Sequence, residues 1–258
     1  MGSITHTKAV LIIIGRTDMN NKTIHYCWFG KNPKPKLILK CIESWKKFCP
    51  DYDIKEWNED NFDVTCCDYV REAYEAKKWA FVSDYCRFYV LYHYGGIYLD
   101  TDVELLKSLD ELNGTFVGFE NNNRVNSGLI RGAVSGDLIC KLMLDSYAQS
   151  SFVNKDGSLN ILTVCDRETE ILCSHGMKRN NTLQIIEGTT IYPTEYFNPM
   201  DMDTGKLHIT DNTVSIHHYA ASWVSKNERM RGRIAKWFYR VFGAETANKI
   251  RKVFGRKR

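Results

Sequence analysis

The stretch Trp79–Asp102, WAFVSDYCRFYVLYHYGGIYLDTD, constrains this chain more than any other. Trp79, Val82, Cys86, Val90 and Tyr94 recur at helical spacing, which predicts an amphipathic helix carrying Asp84 and Arg87 three residues apart on one side. Gly95 and Gly96 stop that helix, because a positive φ costs glycine nothing. Ile97, Tyr98 and Leu99 are β-formers that run straight into Asp100, Thr101 and Asp102. Two carboxylates therefore stand at the C-terminal end of a strand, the edge at which open α/β sheets hold their ligands.

A hard divalent cation is one reason to place two carboxylates there, since Mg²⁺ or Mn²⁺ favours one or two carboxylates, substrate phosphates and water. The blander reading has Asp100 and Asp102 capping a helix over Val103–Leu112, with Asp84 and Arg87 as an ordinary surface ion pair. An isolated D-x-D supports either reading equally.

The rest of the chain sets the frame. Its 258 residues, 43% of them hydrophobic, suffice for a substantial core. The five prolines are scattered, no segment is of low complexity and no repeat is visible, so residues 19–225 read as one enlarged α/β domain. Nine cysteines, an odd number with no C-x-x-C pair, point to free thiols and a reducing cytoplasm. Charge is uneven: residues 226–258 hold twelve Lys and Arg against Glu228 and Glu245, a net of +10, leaving −6 for residues 1–225. At the other end, Ala9–Ile14 is apolar but too short to span a membrane, and residues 1–18 read as an extension with no assigned function.

Periodicity places the other elements. Thr23–Phe29 reads as the first strand, and Leu37, Ile38, Cys41, Ile42, Trp45 and Phe48 as a helix stripe ended by Pro50. Tyr52–Trp57 then completes a β-α-β unit with a parallel crossover. Tyr69–Lys77, Leu138–Tyr147 and Leu159–Ser174 are helical by period; Thr115–Glu120, Leu183–Ile186 and Thr190–Tyr192 read as strands, and Pro193–Pro199 as an aromatic loop. Val214–Trp223, VSIHHYAASW, reads as a last strand entering the site. Alternation sends His217 and His218 to opposite faces, so at most one of them serves as a ligand from this strand.

The string SDYCR, YGG, YLDTDV resembles the DXD-motif sugar transferases of bacterial capsule and lipopolysaccharide loci, relatives of yeast mannosyltransferases and of the glucosyltransferase domains of clostridial toxins. The resemblance runs from about Thr23 to Trp223. It implies a GT-A type nucleotide-sugar-binding fold, with a mostly parallel central sheet flanked by helices, and metal-dependent transfer with retention from a nucleotide diphosphate sugar, UDP rather than GDP, to a saccharide acceptor. Mn²⁺ or Mg²⁺ is the implied ion. Carried over by position, Asp102 coordinates the metal, Asp100 works through a metal-bound water and the ribose or sugar hydroxyls, and Asp84 and Arg87 orient the donor sugar from the helix. Trp28 lies against the base, Asn126 of the N-S-G element reaches the sugar or phosphate, and Ser222 and Trp223 lie over the pyrophosphate. The pattern of histidine, aromatic, small residue and Ser-Trp favours His218 as second metal ligand. Two positions depart from the pattern: Ser158 stands where relatives tend to carry proline, and, more mildly, Ala221 where they often carry glycine.

Two other classes compete. An aspartate-nucleophile phosphatase also carries D-x-D after a strand, but it wants Thr or Val where this chain has Glu104, and it uses the first strand. A nucleic-acid-binding module would use the basic tail and leave the central motif unexplained. In that tail Ile234, Trp237, Phe238, Val241 and Phe242 form one helical stripe flanked by Arg233, Lys236 and Arg240, the pattern of a basic helix lying in a membrane interface. The expectation is therefore a cytoplasmic enzyme held on an anionic membrane through residues 226–258, acting on a lipid-linked acceptor in surface polysaccharide synthesis without binding nucleic acid.

Overall fold

The computed structural model describes residues 21–201 and 205–220. In chain order these hold β1 (Thr23–Cys27), α1 (Lys36–Phe48), β2 (Asp53–Trp57), α2 (Asp68–Glu75), α3 (Trp79–Tyr94), β3 (Gly96–Tyr98), β4 (Val103–Leu105) and β5 (Thr115–Asn121). Then follow β6 (Arg124–Val125), β7 (Arg131–Ala133), α4 (Leu138–Ala148), α5 (Val164–Ser174), β8 (Gln184–Ile186), β9 (Thr189–Tyr192), α6 (Thr194–Phe197) and β10 (Ser215–His217).

The main sheet runs β2-β1-β3-β7-β5-β9-β8, with β6 also on β5. β2, β1 and β3 are mutually parallel, and β9 is parallel to β5; β7 lies antiparallel between β3 and β5. Five strands thus share one direction, as the parallel crossover predicts, while β6, β7 and β8 return against it. Both faces of this sheet are covered. Ile97 and Leu99 pack with Ile38, Ile42 and Trp45 of α1 on one side, whereas Tyr98 between them packs with Val82, Cys86 and Val90 of α3 on the other. A strand buried on both faces has to be apolar at every position, which is why GIY shows no polar alternation.

Three local features aim the site. Gly95 (φ +67°) and Gly96 (φ +95°) turn the chain from α3 into β3, and a Cβ on Gly96 would come within 2.8 Å of the Thr23 carbonyl. β3 ends at Tyr98, and the Val103 amide donates to the Asp100 carbonyl (3.0 Å), so the two aspartates sit in a tight turn. Beyond that turn there is no helix over Val103–Leu112. β4 instead pairs antiparallel with β10, His217 standing opposite Val103, and the Trp45 indole donates to the Val103 carbonyl at 2.7 Å.

Most other elements fall close to their sequence positions, but β6 and β7 were not anticipated and the strand expected from Val214 is confined to Ser215–His217 among the described residues; two further differences have a local cause. α5 begins at Val164 rather than Leu159, because residues 153–159 close a small antiparallel bridge and the Thr163 hydroxyl caps the helix by accepting from the Asp166 amide. Pro193–Pro199 contains the short helix α6, whose Phe197 is fully buried against β5. The N-terminal extension, Ser222, Trp223 and the basic tail lie outside the described residues.

Candidate active site

Parallel β1 and β3 deliver Trp28 and Asp100 to the same edge of the sheet. α3 adds Asp84 and Arg87, both buried although charged. Buried charges survive only when paired, and here one guanidinium serves two carboxylates: Arg87 Nη2 lies 3.1 Å from Asp84 Oδ1 and 3.0 Å from Asp100 Oδ1. Its Nη1 donates to the Ser127 hydroxyl (3.2 Å), and its Cζ lies 4.7 Å from the Tyr98 ring centroid. The Tyr98 hydroxyl also donates to Asp100 Oδ1, at 3.1 Å. Only Arg87 Nε is left without an acceptor among the described residues. Arg87 is thus mainly the organiser of the two aspartates.

Asp102 faces β10. Its Oδ1 lies 3.0 Å from His217 Nε2, and its Oδ2 accepts from the Ala220 amide at 2.7 Å. Burial alone would push this carboxyl up, but the charge and hydrogen bond of His217 and the Ala220 amide outweigh it and hold it at about 2. His217 is raised correspondingly: burial works against its protonated form, and Asp102 overcomes it. Asp100, Asp102 and His217 each present a ligand atom within 4.8 Å of the others. The side chain of Asp100 is 31% exposed against 13% for Asp102 and 8% for His217, so the cluster opens to solvent on the Asp100 side.

This geometry corrects the choice of histidine. His218 turns to the opposite face, where its Nε2 lies 2.8 Å from Glu104 Oε2 and Lys40 pairs with the same carboxylate at 2.9 Å. Strand alternation separates the two rings, as anticipated, but only the register of β10 on β4 determines which of them meets Asp102.

Asn126 reaches the site by an interruption in a hairpin. The pairing of β5 steps from Phe119 with Val125 to Val117 with Arg131, so residues 126–130 leave the sheet and arch over the turn. Asn126 is tied at both ends, donating to Glu120 Oε1 (2.9 Å) and accepting from the Gly128 amide (2.7 Å). What it can offer a sugar is its second amide hydrogen. Gly128 is the functional residue that sequence reasoning passed over: its carbonyl accepts from the Asp100 amide, and a Cβ there would stand 2.1 Å from Asp100 Oδ2. The glycine of N-S-G was the one signal for it. Trp28 is half-buried, donates through Nε1 to the Asn32 carbonyl (2.7 Å) and has the Lys34 ammonium 5.6 Å from its ring.

Burial pushes the Asp84 carboxyl up to about 7, with Arg87 opposing and Asp100 adding to the rise. A folded value above the ordinary 3.8 means that the folded chain binds more protons in this range, so this group's contribution to stability falls as pH rises from about 4 to about 7 and is level above. Asp84→Asn is expected to remove that slope and to melt higher than the parent at pH 8 while losing sugar transfer. Melting curves of both proteins between pH 4.5 and 8 check this; parallel curves would refute it.

The donor set, two carboxylates and an imidazole beside an opening, fits a divalent cation of the Mn²⁺ or Mg²⁺ kind. The fold has a solved counterpart: "PaToxG Glycosyltransferase" superposes with a TM-score of 0.50 and 22% identity over 60% of this chain and 69% of that one. A glycosyltransferase involved in the glycosylation of the major capsid of PBCV-1 is looser, with a TM-score of 0.42 and 13% identity over 81% of this chain and 98% of the other. At such identities the first likeness speaks to the fold and the second carries no argument. No curated protein matches the chain.

The fold is that of a solved glycosyltransferase. Residues 35–116, from the start of α1 through the aspartate turn into β5, match the family of glycosyltransferase sugar-binding regions containing the DXD motif.

Proposed function

We propose that this glycosyltransferase moves a hexose or N-acetylhexosamine, with retention, from a UDP-sugar to a saccharide acceptor in surface polysaccharide synthesis. The observation that supports this best is the cluster of Asp100, Asp102 and His217 at the C-terminal edge of a mostly parallel sheet. A cation held there would act as a Lewis acid on the diphosphate leaving group, whose charge grows as the glycosidic bond breaks. Arg87 and Tyr98 keep Asp100 aimed; the Ala220 amide does the same for Asp102. Asp84 faces the sugar as a hydroxyl acceptor, and Trp28, Ser222 and Trp223 are assigned to the base and pyrophosphate through the family resemblance. With no side chain set aside as a covalent nucleophile, the reading is front-face attack by the acceptor hydroxyl.

A panel of nucleotide sugars, with released nucleotide measured, tests the donor. Turnover is expected with Mn²⁺ and a UDP-sugar and is expected to vanish in excess EDTA; full turnover in EDTA would sink the metal reading. Release of inorganic phosphate from phosphomonoesters would favour a phosphatase instead, but the aspartates follow β3 rather than β1. Residues 226–258 are assigned to an anionic membrane surface at the cytoplasmic face and the acceptor to a lipid-linked saccharide, each basic residue near such a leaflet contributing about 1 kcal/mol. Ending the chain after Ser225 is expected to abolish sedimentation with anionic vesicles while donor hydrolysis persists. Equal sedimentation of the truncated and intact chains at the same salt would remove the tail as anchor.

A further inference from the structure

The hairpin that leads to Asn126 is irregular at one residue. β5 and β6 pair Phe119 with Val125 and Asn121 with Arg124, so Glu120 is an extra residue on β5, a β-bulge of the kind that re-aims a side chain. Its carbonyl accepts from Asn198 Nδ2 at 2.7 Å. Its carboxylate is only 5% exposed, and both oxygens are occupied: Oε2 accepts from Arg124 Nε, and Oε1 from Asn126 Nδ2 at 2.9 Å. Asn126 is buried too; its Oδ1 accepts from the Gly128 amide at 2.7 Å, and its own backbone amide donates to the Gly118 carbonyl at 3.0 Å. A Cβ on Gly128 would lie 2.1 Å from Asp100 Oδ2 and 2.9 Å from Asn126 Oδ1, so this amide stands directly beside the aspartate turn.

A buried ion pair is a poor way to stabilise a hairpin, because desolvation offsets most of its attraction. The directions of the hydrogen bonds give it another use. Arg124 Nε and the Gly128 amide can only donate, so Glu120 must accept on one side and the Asn126 oxygen on the other. The Asn126 nitrogen is then turned to Glu120, and a carboxylate, which accepts on both oxygens, satisfies every partner. A glutamine there has one oxygen to give. Spent on Arg124, it sets an NH₂ group against that of Asn126, and flipping Asn126 only moves the clash to the Gly128 amide. We propose that Glu120 is a positioning residue: it locks the Asn126 amide in the one orientation that leaves its second N–H for an oxygen of the bound donor, whether of the phosphate or of the sugar.

The inference rests on the donor reading above. Its test is calorimetric titration of UDP, UDP-glucose and UDP-N-acetylglucosamine, with Mn²⁺ present, into the full-length chain, with thermal unfolding in parallel. The proteins are the wild type, Glu120→Gln, Asn126→Ala, the pair of these, and Glu120→Gln with Arg124→Met. Glu120→Gln is expected to weaken binding of the tighter UDP-sugar about 10- to 100-fold, the scale of leaving a buried polar group unpaired. An equal loss with UDP assigns the contact to a phosphate oxygen; a loss with the UDP-sugar alone assigns it to a sugar hydroxyl. Adding Glu120→Gln to Asn126→Ala is expected to cost nothing more, since Glu120 acts through that amide. Arg124→Met frees the glutamine oxygen to return to Asn126, so this combination is expected to bind the UDP-sugar nearly as the wild type does, and it carries the test should Glu120→Gln alone not fold. Native binding by folded Glu120→Gln would overturn the proposal, as would additive losses with Asn126→Ala or weak binding by the Arg124→Met combination. Failure of the wild type to bind any of the three compounds with Mn²⁺ is a different result, which would sink the donor reading and this inference with it.

Discussion

Replacement of Gly128 by alanine is expected to cut sugar transfer by about two orders of magnitude or more while the sheet and helices stay in place. The added methyl would stand 2.1 Å from Asp100 Oδ2 and 2.9 Å from Asn126 Oδ1, distances that no carbon tolerates. The backbone cannot retreat easily, because the Gly128 amide is held by Asn126 at 2.7 Å and its carbonyl by the Asp100 amide at 3.0 Å. Asp100 must therefore swing away and give up Arg87 and Tyr98, two contacts in which an ionised group takes part, each worth about 1.5–3 kcal/mol. Displacing one reacting group by about 1 Å is enough for about a 100-fold loss. Turnover measured beside circular dichroism and melting separates the two effects. An alanine variant with native turnover would show that Asp100 is not needed where it stands.

Asp102→Asn is expected to do as much harm by charge alone. Asparagine keeps the shape and can still accept from the Ala220 amide, but it removes the anion that pairs with His217 and would bind the cation. If the metal supplies several kcal/mol to the departing diphosphate, its loss costs about 10³-fold in rate. Metal-dependent UDP binding should disappear as well, whereas Asp84→Asn should keep UDP binding and lose turnover. Calorimetry that finds unchanged Mn²⁺-dependent affinity for UDP in the Asp102 variant would rule out this division of roles.

The two variants probe different levels of legibility. The position of Asp102 was readable because a glycine-ended helix and a three-residue β run place the carboxylate pair that follows them at a strand end. Gly128 was not, because a glycine in N-S-G is a turn signal until the atom it avoids is known. That the Asn126 amide is tied to Glu120 and Gly128 was equally unreadable from the element itself.

The local pattern of this chain was enough to determine the alternation of helices and strands, the parallel opening unit, the position of the aspartates at a strand end and the buried side of α1, all of which depend on periodicity within about fifteen residues. It also established that His217 and His218 must part company, because successive strand residues face opposite ways. Which histidine meets Asp102 was decided only when β10 paired with β4 more than a hundred residues away, in a register that places His217 opposite Val103. The same holds for the sharing of Arg87 between Asp84 and Asp100. Hydrogen bonds and ion pairs between distant segments depend on where whole elements pack, and no local pattern carries that information.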